Sequence, residues 1–174
     1  MQIHKIIKIF IIIVLSVGTI IFVNKYRYSH DLLHLTKNEI RLYERYSKTE
    51  ETKLLENLEP IIILKFYLFS IDNNDYLTTY KFYDNNHRNL MPSKQQYFMK
   101  VFRQGEELDS RIICKIKNHM KSIEKIKISE NKCVIEIKYD DTEYISRFFF
   151  IKRENSIWKL RWMYKKNRKL KKPI

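Results

Sequence analysis

The chain has 174 residues, 44% hydrophobic and 14% aromatic, which allows one domain with a real core beyond a short N-terminal segment and excludes a second domain. Two glycines and three prolines exclude long flexible linkers, and two cysteines exclude a disulfide scaffold. Thirty-four Lys and Arg against twenty Asp and Glu give a net charge of +14, which favours anionic partners: lipid headgroups, acidic polymers or nucleic acid.

The chain opens on an apolar run. Residues 9–23 (IFIIIVLSVGTIIFV) carry no charge. With Ile6 and Ile7 ahead of Lys8 they reach the lower limit of a bilayer-spanning helix, about 17 residues, if Lys8 snorkels. A cleaved signal peptide is the rival, because Lys5 and Lys8 form a charged leader. Phe22-Val23-Asn24-Lys25 offers no small-residue cleavage site, so an uncleaved signal anchor is expected. Lys5 and Lys8 are nearly balanced by Lys25 and Arg27, so charge hardly sets the orientation. The short leader puts residues 1–5 in the cytoplasm and the domain outside it, giving a single-pass protein of the cell membrane. The expected map is a tail at 1–5, an anchor at 6–24, a juxtamembrane helix or linker at 25–49, an α+β domain at 50–165 and a polybasic tail at 166–174.

Residues 29–46 (SHDLLHLTKNEIRLYERY) place Leu32, Leu35, Leu42 and Tyr46 near helical spacing, with Ser29 and Asp31 as start signals. Glu39 interrupts the stripe, which leaves a stalk or a helix lying on its own domain. Leu55, Leu58, Ile62, Phe66 and Phe69 fall on one helical face, with Pro60 suited to the first turn of a helix starting near Glu59 and ending near Asn73-Asn74. A third helix is predicted over 75–83 and a fourth over 94–102, opened by Met91-Pro92-Ser93. Residues 111–123 fit helix and strand equally.

Beyond them the period changes to two. Cys133, Ile135, Ile137 and Tyr139 alternate with Val134, Glu136 and Lys138. Trp158, Leu160, Trp162 and Tyr164 alternate likewise with Lys159, Arg161 and Met163. Turn residues divide the region into four strands at about 123–128, 132–139, 144–153 and 157–165, an antiparallel meander. Helices followed by a meander make an α+β domain with helices packed on one face of the sheet. The opposite face is then expected to collect Lys125, Lys127, Lys138, Lys159 and Arg161.

The run 66–76 (FYLFSIDNNDY), a helix closing on Asp-Asn-Asn-Asp-Tyr before a second helix, resembles the first helical hairpin of the nuclear transport factor 2-like superfamily. Ile157-Trp158-Lys159-Leu160 is similar to the Trp-Lys-aliphatic strand that ends many bacterial members. The resemblance implies a curved antiparallel sheet wrapped like a cone around helices, often with an internal pocket. Its membrane-anchored bacterial versions include the periplasmic assembly subunit of type IV secretion and conjugation machines.

No catalytic constellation stands out. Asp75, Asp84, Tyr76 and Tyr80 lie near an expected pocket rim but read more simply as a capping carboxylate and core tyrosines. His30 and His34, four apart, lack a third metal ligand. Asp72-Asn73-Asn74-Asp75 and Asp84-Asn85-Asn86 lack the glycine and terminal Glu of a calcium loop. Cys114 and Cys133 either pair in an oxidising compartment or stand as two small hydrophobes in the core. No cofactor and no metal are expected.

Ten basic residues against Glu154 alone occupy residues 152–172, and Lys165, Lys166, Arg168, Lys169, Lys171 and Lys172 form the tail. Together with the basic sheet face they are the expected binding surface for an anionic lipid or polymer, with nucleic acid the weaker partner because Trp158 and Trp162 share the apolar strand face. The expected function is a non-enzymatic extracytoplasmic scaffold or assembly domain of an envelope complex with protein partners. The alternatives are a small-ligand-binding domain using the cone pocket and a membrane-tethered binder of anionic lipid or nucleic acid.

Overall fold

In the computed structural model, which describes residues 33–85, 91–101, 106–140, 142–153 and 155–162, helices precede strands, as the change of period predicts. Helices α1 (Lys37–Thr49), α2 (Pro60–Asp72), α3 (Tyr76–Lys81), α4 (Lys94–Lys100) and α5 (Glu106–His119) lead into strands β1 (Met120–Ser129), β2 (Lys132–Tyr139), β3 (Ile145–Lys152) and β4 (Trp158–Leu160). The four strands form one antiparallel sheet in the order β1-β2-β3-β4. Among the described residues no helix is long and apolar enough to cross a membrane. The anchor expected at residues 6–24 and most of the tail lie outside the described residues.

Helix α1 starts later than the leucine spacing suggested. Thr36 caps it: its hydroxyl accepts from the Glu39 backbone N–H at 3.2 Å while the Glu39 carboxylate accepts from the Thr36 N–H at 2.6 Å. Glu39, which seemed to break the apolar stripe, is the reciprocal member of a capping box. The buried face is Tyr43 and Tyr46, with Tyr43 edge-on to Phe66 and Phe69 at 5.8 and 5.0 Å and Tyr46 against Phe82 at 5.5 Å. The helix therefore lies on its own domain, whose compact unit begins at Leu35.

Helix α2 is the hub. Pro60 occupies its first turn as expected, but Ile63, Leu64, Phe66, Tyr67, Leu68 and Ile71 are buried around more than one face. A helix with neighbours on several sides loses the one-sided stripe of a surface helix. It ends at Asn73-Asn74, with Asn74 in the left-handed region (φ 56°). Asp75 then caps α3 by accepting from the Thr78 N–H at 3.1 Å, and the Tyr43 hydroxyl donates to its other oxygen at 2.7 Å. Burial first, and the Asp75 carboxylate second, hold the Tyr43 phenol protonated far above its ordinary range. Ser93 and Gln96 form a second capping box at the start of α4.

The segment left open between helix and strand is both: α5 runs to His119 and β1 begins at the next residue. Cys133, Ile135, Ile137 and Tyr139 form the expected buried row, and α2 and α5 contact β2. The register corrects one expectation. Cross-strand partners share a face, and Lys125 pairs with Ile135 and Lys127 with Cys133, so these two lysines follow the buried row instead of opposing it. Ile126 pairs with Val134 on the other face, and Ile126 and Ile128 are 43% and 59% exposed. The Ile123–Ile137 pair fixes this register, and apolar-against-lysine alternation is a poor guide where the strand's far half is exposed on both faces. β4 is described over Trp158–Leu160, where Leu160 pairs with Phe150 of β3 and also bridges Tyr83; the end of the expected strand, 163–165, lies outside the described residues.

Replacing Asp75 by Ala removes the α3 cap and the buried partner of Tyr43 together. We expect about 2–3 kcal/mol of lost stability in urea unfolding, against about 1 kcal/mol for Tyr43→Phe, which keeps the cap. Equal losses would show that the cap contributes nothing.

Candidate anion-binding cleft

A polar cleft of about 630 Å³ opens where the β3–β4 turn (Asn155, Ser156, Ile157) meets Asn131 of the β1–β2 turn and Thr52. Local hydrogen bonds set its walls. The Arg153 N–H donates to the Ile157 carbonyl and the Ser156 N–H to the Arg153 carbonyl, each at 2.9 Å, with Ser156 in the left-handed region (φ 55°). The Lys152 N–H donates to the Asn131 carbonyl at 2.9 Å, tying the two turns together.

Three cations line the cleft: Lys152, Arg153 and Lys159. The Arg153 guanidinium grips the Asp84 carboxylate with two donors, Nε to Oδ1 at 2.9 Å and a shorter terminal-nitrogen contact to Oδ2, and the Asp84 side chain is 3% exposed. Lys159 donates to the Lys81 carbonyl at 2.6 Å. Desolvation pushes the Lys159 ammonium down to about 8, while Asp84 partly holds its charge. The Lys152 ammonium sits 5.9 Å from the centre of the Trp158 ring. Asp84 offsets one of the three charges, so among the described residues the cleft holds more cation than anion in partly water-excluded surroundings. Such a site accepts an anion through charge-assisted hydrogen bonds.

The basic residues singled out from the sequence are dispersed. Lys125 pairs with Glu59 at 2.8 Å and Lys138 with Glu124 at 2.6 Å, both at exposed positions. Lys127 and Arg161 are exposed, and Lys159 alone of the group enters the cleft. Lys165, Lys166, Arg168, Lys169, Lys171 and Lys172 lie outside the described residues. Sequence reasoning counted Lys152 and Arg153 only as charge and took residues 154–156 only as a turn. A basic pair entering a polar hairpin turn, with another lysine leaving it, was the available signal.

Of the remaining candidates, His30 and Asn86 lie outside the described residues. Asp75 is a cap, and the Tyr80 hydroxyl donates to the Pro92 carbonyl at 3.1 Å. Cys133 is buried with its thiol raised to about 11 by desolvation, whereas Cys114 is exposed, so the two are unpaired and only one is a core residue. Among the described residues no group of His, Cys, Asp and Glu is placed to hold a metal ion. A second open cleft, about 480 Å³, lies beside Cys114 and is spanned by the Lys117–Asp72 ion pair at 2.7 Å.

Two outcomes test this geometry. Asp84→Asn leaves Arg153 facing a neutral amide and should cost about 3 kcal/mol, largely recovered in Asp84→Leu with Arg153→Met; an additive double variant would deny the coupling. Lys159 has a folded value near 8 against an ordinary 10.5, so between those pH values the unfolded chain carries the extra proton and stability rises with pH. Asp84 and Arg153 face it, with Lys152 in the same cleft. In thermal unfolding followed from pH 7.5 to 10.5, Lys159→Met should remove that rise relative to the unsubstituted chain; parallel curves would mean that Lys159 is not desolvated.

Comparison of the chain with protein-family models, with curated proteins and with solved structures finds no match.

Proposed function

We propose that the chain is a non-catalytic, membrane-tethered binding domain that recognises an anionic partner through the cations at the turn end of its sheet and in its C-terminal tail. The observation that carries it is the division of labour in the described fold: the buried side-chain polar groups are internally satisfied, while Lys152, Arg153 and Lys159 line a polar cleft at the turn end of the sheet. Phe66, Leu64, Ile63, Phe82, Ile135 and Ile137 are fully buried. The hydroxyls inside bond one another, Tyr67 with Tyr83 at 2.8 Å and Ser70 with Thr79 at 2.7 Å. A ligand pocket within a cone needs inward polar groups with unfilled valences among apolar walls. These groups spend theirs on each other, which favours a scaffold over an internal-pocket binder.

The tether in this reading is the uncharged run at 9–23, with the domain outside the cytoplasm as part of an envelope assembly. Membership of the nuclear transport factor 2-like superfamily belongs to the same proposal. Its support is the helix, Asn-Asn turn and Asp-capped second helix over 60–81, followed by a four-stranded meander.

Two measurements test it. In intact cells carrying Asn167→Cys with Cys114→Ser and Cys133→Ser, a membrane-impermeant maleimide should label Cys at 167 without lysis; labelling only after lysis would put the domain in the cytoplasm. Changing Lys165, Lys166, Lys169, Lys171 and Lys172 to Gln should weaken binding to anionic vesicles steeply at low salt and little at high salt. Unchanged binding would remove the tail from the proposal.

A further inference from the structure

The cleft is more specific than a basic patch. Among the described residues three cations line it, Lys152, Arg153 and Lys159, and the nearly inaccessible Asp84 carboxylate, gripped by Arg153, offsets one of them. Neutral groups able to donate to a ligand ring the same opening: the Ser156 and Thr52 hydroxyls and the Asn131 and Asn155 amides. A carboxylate offers two oxygens and one charge and would leave much of this set unused. A phosphate monoester offers three terminal oxygens and, near neutral pH, close to two charges.

We propose that this cleft is a binding site for a phosphate monoester, carried by a soluble molecule or by a lipid headgroup. Lys159 and Lys152 supply the charge, Arg153 is held at the wall by Asp84, and the β3–β4 turn presents Ser156 and Asn155 to the phosphate oxygens. Lys159 is the central group because its ammonium is anchored by the Lys81 carbonyl, using one of its three donors, and so needs little ordering when the anion arrives. The attraction of an entering dianion offsets the desolvation of that ammonium, so binding at pH 8 and above draws a proton onto the protein. This site deepens the proposed anionic partner and rests on that reading, but not on the tail or on the tether.

The test uses the full chain in neutral detergent. Inorganic phosphate is titrated calorimetrically at pH 8 in two buffers of different ionisation heat, with the unsubstituted chain, Lys159→Met and Asn155→Asp. The Asn155 change places a carboxylate at an exposed turn position and leaves the fold intact. The expected result is one site, proton uptake on binding, and affinity lower by roughly tenfold or more in both variants, as for loss of one charge-assisted hydrogen bond. Phosphate bound equally by all three proteins, or by none, overturns the site. Vesicles of phosphatidylcholine with phosphatidic acid, a monoester, or with phosphatidylglycerol, a diester, then identify the carrier at matched surface charge. A preference for phosphatidic acid that Asn155→Asp abolishes assigns the lipid headgroup; phosphate binding without that preference assigns a soluble phosphate. Vesicle binding that is lost with the tail lysines but indifferent to Lys159 and Asn155 would retain the broader proposal while rejecting this site.

Discussion

The clamp between residues 81–84 and β4 is the constraint on which the rest of the described architecture depends. The Leu160 N–H donates to the Phe82 carbonyl at 2.8 Å and the Asp84 N–H to the Leu160 carbonyl at 2.7 Å, so a three-residue strand gains a partner from the helical layer. Side chains close the same junction from both directions: Arg153 reaches Asp84, and Lys159 reaches the Lys81 carbonyl. The edge of the sheet is thereby covered instead of left as a row of unpaired backbone groups. Without that contact β4 is too short to stay registered on β3, and the cleft loses two of its three cations.

The clamp also explains why the domain closes over its interior. Phe82 is fully buried between Tyr46 of α1 and Phe66 of α2, at 5.5 and 6.3 Å between ring centres. Tyr83 meets Tyr67, Tyr97 and Trp162 edge-on. One short stretch thus ties α1, α2 and α4 to the end of the sheet through aromatic contacts, each worth about 0.5–1.5 kcal/mol beyond the area it buries. An interior cross-linked in this way is expensive to open, which favours recognition at its rim.

The fold was legible where a local rule acts alone. Pro60 at a first turn, Asn73-Asn74 at a helix end and Ser93 before a short helix are backbone-level signals, and the alternation of 133–139 was strong enough to name a buried row. Legibility failed chiefly where a long-range contact decided. Leucine spacing misplaced the start of α1 even though the signal was local, the Thr36–Glu39 capping box; the long-range part was the pairing of Glu39 with Lys65 of α2 at 3.2 Å, which keeps that charge on an otherwise apolar side. The faces of Lys125 and Lys127 depend on the register against β2, which their own alternation does not encode. The cleft was hidden for the same reason: Asp84 and Arg153 are 69 positions apart, and without Asp84 the basic run from Lys152 onward looks like undifferentiated charge.

That run belongs to two electrostatic regimes. Elsewhere in the described fold, many cations have a carboxylate at hand: Lys117 has Asp72, Lys81 has Glu50, Arg147 has Glu136 and Lys138 has Glu124. Exposed pairs of this kind contribute about 0–1 kcal/mol each, so their main effect is to neutralise local charge and not to stabilise the fold. The excess of +14 is correspondingly concentrated in the cleft and in the chain beyond it. Charges that act through water are screened within a Debye length of about 8 Å at physiological salt. Lys159 sits in a desolvated position against a fixed carbonyl, where screening is weak and geometry can discriminate between anions. In the proposed reading a basic tail would raise the local concentration of any anion, whereas the cleft has fixed donors able to choose one.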